Sequence, residues 1–343
     1  MHSRTTRSIK LPKNQCLVRQ SLEPVSESRQ KLGNNEAIRS NKRSQVGTTA
    51  RQRIATDQFE GKRAVFSQLT SAGVRAILVG LMVATPSLIL PSTAADTAQI
   101  VVVLAILASC ITFIEYYGRY PSFIEFRFAP PFNRMRFIGL LVTVILLSMI
   151  CRGKTDPTGW TILITQMGAA LGNLIDFPFS PVRLVVLMMP QGADADLITT
   201  VRTAAGISYT VSVIMMIVFV VLVRGFGWPV RNGAFNVWIN LPLFDPTGGG
   251  DVLQRLRRDS GLNIVLGCLL PFLIPAAIKA ASDFVDPAFM SSPQTLVWTT
   301  AAWAFLPASM LMRGIAMGRV AQMIEDKRRR AYAQAELENM QRA

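Results

Sequence analysis

The sequence has very few of the side chains on which metal binding and nucleophilic catalysis usually depend. His2 is the only histidine, which argues against zinc sites with histidine ligands, haem ligation and Ser-His-Asp catalysis. The four cysteines (Cys16, Cys110, Cys151 and Cys268) are too far apart in the chain to form a CxxC metal or redox pair. We therefore expect a protein that is not an enzyme and that carries no metal and no cofactor.

Charged residues are almost absent from the long apolar runs that make up much of the chain. Half of the 343 residues are hydrophobic and the mean hydropathy is +0.33, which is typical of a protein that crosses a membrane several times. The runs predicted as spans are 74–92, 99–116, 137–151, 206–223, 262–281 and 295–312. The predicted fold class is an all-α integral membrane protein with about six transmembrane helices.

Lysine is scarce, and arginine supplies most of the net charge of +15. The basic side chains lie mainly in alternate gaps between the apolar runs, as in loops on the cytoplasmic side of a membrane. This pattern predicts that both termini are cytoplasmic. It also explains the high positive charge without a nucleic-acid partner. One gap, Glu115–Arg136, also has eight aromatic side chains in it or next to it. The arginines predicted to contact anionic lipid headgroups or another membrane protein are Arg119, Arg127, Arg134, Arg136, Arg255, Arg257 and Arg258.

The chain divides into an N-terminal arm (1–66), a transmembrane domain (67–317) and a charged C-terminal helix (318–343). Residues 1–56 contain twelve basic and three acidic residues and few large apolar ones, so we expect a disordered cytoplasmic arm. The arm lacks the apolar segment that a secretory signal contains. We therefore favour a bacterial inner membrane protein. Its first 22 residues are free of acids and contain arginine and serine, which leaves the mitochondrial inner membrane as the alternative.

The segment 160–190 is the ambiguous part of the topology. Its two apolar pieces, Trp160–Ile175 and Val182–Pro190, are each short for a span. A single crossing here would invert every later segment and put arginine-rich segments outside, so the segment crosses zero times or twice. We favour a re-entrant hairpin that enters from the outer face, with eight spans as the alternative. Asp176, near its tip, is the candidate functional carboxylate.

Three local patterns add further predictions. Apolar and polar residues alternate in 122–129 and 232–244, which is typical of strands; the two segments form either a small sheet or two extended loops. Gly168 and Gly172 have the spacing of a helix-packing face. Asp251 follows a glycine run, and because the phosphate-loop pattern is absent we predict that it caps a helix.

Two functions remain open at this stage. The absence of catalytic groups favours a non-catalytic scaffold, accessory or assembly subunit for other membrane components. The alternative is a small-solute or ion transporter or channel, favoured by the predicted hairpin with Asp176 and by prolines within three predicted spans, which can break or kink helices. Those prolines are Pro86, Pro271, Pro275 and Pro307.

Overall fold

The computed structural model describes residues 67–91, 95–118, 122–190, 192–229, 235–244, 249–281 and 290–342. The helices in this part of the chain are α1 (Ser67–Ile89), α2 (Ala95–Tyr117), α3 (Phe132–Gly153), α4 (Gly159–Ile175), α5 (Pro181–Leu187), α6 (Ala195–Gly225), α7 (Val237–Asn240), α8 (Val252–Ala280) and α9 (Pro293–Arg342). The predicted basic arm, residues 1–66, lies outside the described residues.

Six of these helices, α1, α2, α3, α6, α8 and α9, are long and apolar enough to cross a membrane. The chain is therefore an all-α integral membrane protein, as the apolar runs predicted. Each helix is longer than its apolar run. For example, α3 begins at Phe132 rather than at Phe137. The last span and the C-terminal segment form one helix, α9, which continues to Arg342.

The connecting segments gather at two ends of the helix bundle. At the loop end, the described residues of the segments after α2 and after α6 lie near α9. The indole N–H of Trp228 donates to the carbonyl of Ala129, and the backbone carbonyl of Trp228 accepts a hydrogen bond from Arg319. At the hairpin end, the Nζ of Lys154 lies 2.5 Å from the Oδ2 of Asp196. The end of α3 and the start of α6 therefore lie at the same end of the bundle.

Small residues allow the helices to approach one another closely. A Cβ on Gly206 of α6 would lie 2.5 Å from the Cα of Gly172 of α4, and a Cβ on Gly168 would lie 2.8 Å from the Cγ2 of Thr203. The glycine pair of α4 is thus a packing face against α6, as its spacing predicted. The end of α4 lies opposite Arg202, which is seven residues, or about 10 Å, beyond the start of α6.

The prolines of the last two spans lie inside continuous helices. Pro271 and Pro275 are interior to α8, and Pro307 is interior to α9. The carbonyl of Pro271 accepts a hydrogen bond from the indole of Trp303 at 3.1 Å. These two helices also meet at Gly314, whose carbonyl accepts a bond from the Ser260 hydroxyl at 2.7 Å. The helices are therefore unbroken, and the Gly314 face packs within the chain.

Of the two alternatives for the alternating segments, the small sheet is wrong for the residues that the structure describes. In the described part of the two segments, residues 122–131 form turns and Val237–Asn240 form the short helix α7. The segments still meet, because the N–H of Phe126 donates to the carbonyl of Asn240 at 2.6 Å. The Phe126 backbone has a φ of 53°, which a strand does not tolerate, and its ring is buried against Phe132 and Trp228. Aromatic packing therefore overrides the alternating pattern.

Candidate functional site

Asp176 is the C-terminal cap of α4 and belongs to a small ionic cluster. Its Oδ2 lies 2.8 Å from the Nε of Arg202 on α6 and 3.5 Å from a terminal nitrogen of Arg183 on α5. The Asp176 side chain is 9% exposed, against 26% for Arg202. Its Oδ1 is buried and has no hydrogen-bond partner in the part of the chain that the structure describes. The carboxylate is thus neutralised by two cations, while one oxygen is left without a donor.

The turn beside Asp176 exposes large apolar side chains. Leu174, Phe177 and Phe179 have exposed fractions of 76%, 56% and 87%. Phe179 also has a φ of 67°, a strained conformation for a residue with a side chain. Large apolar side chains of this kind are stable at a surface when lipid or another protein covers them. The hairpin tip therefore has an apolar outer surface and an ionic inner side.

At the loop end, Glu115 holds the start of the connecting loop. Its carboxylate is 5% exposed and accepts hydrogen bonds from the backbone N–H groups of Ser122 at 3.0 Å and of Phe123 and Ile124 at 3.4 Å. Three converging N–H groups satisfy a buried carboxylate without a cation. Glu115 therefore ties the end of α2 to the loop and does not face solvent.

Arg127 occupies the complementary position and caps the C-terminus of α2. Its guanidinium donates to the carbonyls of Glu115 at 2.6 Å and Gly118 at 2.7 Å and also to that of Tyr116. These carbonyls have no partner within the helix, and a cation here also offsets the negative end of the helix dipole. Burial lowers the pKa of the Arg127 guanidinium from its ordinary value. Arg127, predicted as a headgroup contact, therefore has a structural role.

Glu125 joins the same loop to α9. Its two carboxylate oxygens lie 2.5 and 2.8 Å from the Nε and a terminal nitrogen of Arg313. The other terminal nitrogen of Arg313 donates to the Oδ1 of Asn263 on α8 at 3.0 Å. Arg136 stacks on Phe132 and Phe305, and its Nε is buried without a hydrogen-bond partner among the described residues. This polar cluster connects three helices beneath the loop.

A cavity of about 630 Å³ lies beside this framework, between α1, α2, the loop and α3. Three arginines line it: Arg75 of α1, Arg127 of the loop and Arg134 of α3. The guanidinium of Arg75 lies 4.4 Å from the centre of the Tyr116 ring, and that of Arg127 lies 5.7 Å from it. The other lining residues are Leu78, Val79, Thr112, Phe126, Phe128, Pro130, Asn133, Phe137 and Ile138. No acidic residue is among them.

The second group of predicted basic residues lies around the start of α8. Asp251 caps α8 as predicted, because its carboxylate accepts from the N–H of Leu253, and it also accepts from Arg328 of α9 at 2.9 Å. The bond from Arg328 lowers the pKa of Asp251 from its ordinary value. Arg257 pairs with Glu325, and Arg255 lies over the ring of Phe244. These contacts hold the later part of α9 against α8.

The predicted arginines thus differ in their surroundings. Arg127, Arg136, Arg255 and Arg257 contact other segments of the protein. Arg134 is exposed, and Arg258 is exposed with an ion pair to its neighbour Asp259 at 3.7 Å. Arg119 lies outside the described residues. Sequence reasoning missed Arg75, Arg202 and the pair Glu125–Arg313. Their partners are distant in the sequence, and the only available signal was a charged side chain within or next to an apolar run.

The described residues contain no group of three or more histidine, cysteine, aspartate or glutamate side chains that could hold a metal ion. Neither family models nor the curated proteins nor the solved structures provide a match to this chain.

Proposed function

We propose that the protein is a non-catalytic membrane scaffold that holds other membrane components together as an accessory or assembly subunit. The observation that carries the proposal is the projecting end of α9. Every described residue from 326 to 342 is exposed, and a helix that is polar on all sides needs an external partner or many internal ion pairs to remain ordered. Only Arg328 and Arg329 in this segment have ion pairs among the described residues.

The polar groups inside the bundle support the same function. Glu115 is satisfied by backbone N–H groups, and Glu125 is paired with Arg313. Carboxylates that move protons or ions alternate between partners, whereas these two have several short contacts each to fixed parts of the chain. The charges therefore serve to fix helix positions, which suits a rigid assembly subunit.

The surface of α2 offers a second contact area. Its apolar side chains Val103, Ile106 and Ile114 are exposed by 65%, 59% and 66%, and the helix has no extended contact with α3 to α9 in the described chain. In a membrane this surface faces lipid or a neighbouring protein. We propose that the loop end faces the cytoplasm of a bacterial cell and that the protein lies in the inner membrane, because the arginine-rich segments converge at that end.

A transporter is the second candidate, and one observation favours it. Asp176 is a buried carboxylate with a free oxygen in an irregular segment, and such segments line substrate paths in transporters. Arg202 and Arg183 weigh against it, because they neutralise the charge that would bind a cation. The mitochondrial inner membrane is the alternative location.

The test is the size of the native particle after mild detergent extraction, with mass spectrometry of the proteins that co-migrate. We expect a complex larger than the single chain, with partners at a fixed ratio. A matched variant ending at Arg330 removes the projecting helix but keeps Arg328 and Arg329, so the bundle remains intact and the partners are lost. A wild-type chain that migrates alone or as a small homo-oligomer contradicts the scaffold function.

A further inference from the structure

We infer that the cavity between α1, α2 and α3 is a binding site for an anionic phospholipid, with the phosphate at its arginine-lined end and an acyl chain at its apolar end. The cavity volume of about 630 Å³ lies within the usual range of small-molecule sites. The inference is independent of the scaffold function, because it rests on the lining of one cavity and not on any protein partner.

The charge of the cavity lining favours an anion. Arg75, Arg127 and Arg134 contribute three positive charges, and no carboxylate is among the described residues that line the cavity. The two nearest acids in the loop region are bound elsewhere: Glu115 by backbone N–H groups of the loop, and Glu125 by Arg313. Glu125 is paired with Arg313, and the charge of Glu115 acts on Arg127. The charges of Arg75 and Arg134 remain, so the cavity keeps a net positive charge that an anionic group would neutralise.

Two of the three arginines also have donors available. Arg75 and Arg134 have neither an ion pair nor a hydrogen bond with any residue in the described ranges, apart from the stacking of Arg75 on Tyr116. Arg127 uses its terminal nitrogens to cap α2 and supplies only its charge. Guanidinium groups bind phosphate oxygens in a two-pronged geometry, so Arg75 and Arg134 are the phosphate ligands.

The lining changes from polar to apolar along α1 and α3 in the same direction, away from the loop end. On α1, Arg75 is followed one turn farther from the loop end by Leu78 and Val79; on α3, Arg134 is followed by Phe137 and Ile138. On α2, which runs the opposite way, Tyr116 lies at the loop end and Thr112 one turn farther in. The Thr112 hydroxyl already donates to the carbonyl of Ala108 at 2.7 Å.

This gradient distinguishes a lipid from a soluble phosphate compound. The charged end lies where the helices reach the loop end, and the apolar end lies deeper along helices that cross the membrane. Leu78 and Ile138 are 42% and 56% exposed on the outer surface of the bundle, so the apolar end is open at its side. An amphiphile with a negative head and a hydrocarbon chain matches both ends, whereas a soluble phosphate would leave the apolar end uncovered.

The experiment uses the full chain, purified in detergent and freed of lipid, and titrates it with lipids followed by native mass spectrometry. Phosphatidylglycerol and phosphatidylcholine with identical chains are the two probes. We expect one tightly bound phosphatidylglycerol with at least about tenfold higher affinity than phosphatidylcholine. The double variant Arg75→Gln and Arg134→Gln should lose at least about tenfold affinity for phosphatidylglycerol, because it lacks both phosphate ligands.

The matched control is the double variant Arg224→Gln and Arg330→Gln, which removes two exposed arginines that do not line the cavity. It should keep the wild-type affinity. Equal losses in the two double variants would mean general attraction to a basic surface, and unchanged affinity in the first would remove the site; either result overturns the inference. Displacement of the lipid by millimolar inorganic phosphate or glycerol 3-phosphate would also overturn it, because the ligand would then be a free phosphate.

A second measurement uses the unmodified chain, so that a folding defect of a variant cannot decide the outcome. Phosphatidylglycerol with a photoreactive group near the top of one acyl chain is cross-linked in vesicles, and the labelled peptides are identified. We expect labels concentrated on α1 and α3 around Val79 and Ile138. Labels distributed equally over the outward face of α2, around Val103 and Ile106, overturn the inference.

Discussion

The Oδ2 of Asp176 lies 2.8 Å from the Nε of Arg202, which joins the end of α4 to the second turn of α6. This contact lies beside Gly172 and Gly206, where the two helix backbones are closest. Charge pairing and close backbone packing therefore stabilise the same crossing. Replacing either feature separately tests how much each contributes.

Asp176→Asn should destabilise the protein by about 2–3 kcal/mol, because Arg202 then keeps its charge without a full counterion. This expected loss of stability is smaller than that for breaking a wholly buried ion pair, because Arg202 and Arg183 are partly exposed. Unfolding by heat or denaturant in detergent measures the change. Asp156→Asn, which breaks the exposed pair with Arg152, is the control and should change stability by about 0.5 kcal/mol or less. Normal stability of Asp176→Asn with loss of a solute flux would favour the transporter instead.

Gly206→Ala should cost about 1–3 kcal/mol, since its Cβ would lie 2.5 Å from the Cα of Gly172 and backbone cannot move aside as a side chain can. Gly261→Ala is the matched control, because it is also within a helix and its Cβ would meet no atom within 4 Å. That variant should be neutral or more stable by up to about 1 kcal/mol, because alanine favours helix over glycine. Similar stability changes in both variants would contradict the close crossing.

The pair Glu125–Arg313 should show strong coupling in a double-mutant cycle. Glu125→Gln and Arg313→Gln each remove one charge and leave the other buried or half-buried, at an expected cost of about 2–4 kcal/mol. The double variant should be more stable than the sum of the single losses predicts. Arg329→Gln serves as the control, because the Arg329 side chain that pairs with Glu325 is exposed. We expect this variant to lose about 0.5 kcal/mol of stability or less. Additive losses would mean that the two groups do not interact.

Arg127→Gln should loosen the end of α2 without unfolding the bundle. The carbonyls of Glu115, Tyr116 and Gly118 would lose their donor, and the last turn of a helix frays when such groups are left unpaired. Hydrogen exchange at amides 115–118 should therefore become faster, while exchange in α6 stays the same. Unchanged exchange at these amides would show that the cap is not needed.

Acid should release the end of α9 from α8. The pKa of Asp251 is lowered from its ordinary value of 3.8 by the hydrogen bond from Arg328. A lowered pKa in the folded state means that the stabilisation is present above pH 3.8 and is lost as the pH falls through the lower folded value. Limited digestion of the tail by pepsin should become faster in that acid range. Asp251→Asn should digest faster above pH 3.8 and lose most of this pH dependence.

The sequence predicted the helices well because each span is an apolar run about as long as a bilayer is thick. It also predicted the Asp251 cap and the Gly168–Gly172 packing face, because both depend on short spacings along one helix. The small sheet was wrong for the described residues because an alternating pattern shows only which side chains are apolar. It does not show that the Phe126 ring packs into an aromatic cluster. Arg75 could not be connected to Tyr116 because their proximity depends on how α1 packs on α2, which no local pattern contains.

Glu125 and Arg313 are 188 positions apart in the sequence, and this separation sets an order of events during synthesis. A ribosome that adds about 5–20 residues per second needs about 10 to 40 s to complete this stretch. Throughout that interval Glu125 has been made and its cationic partner has not. In the newborn protein Glu125 therefore lacks its counterion until α9 leaves the ribosome.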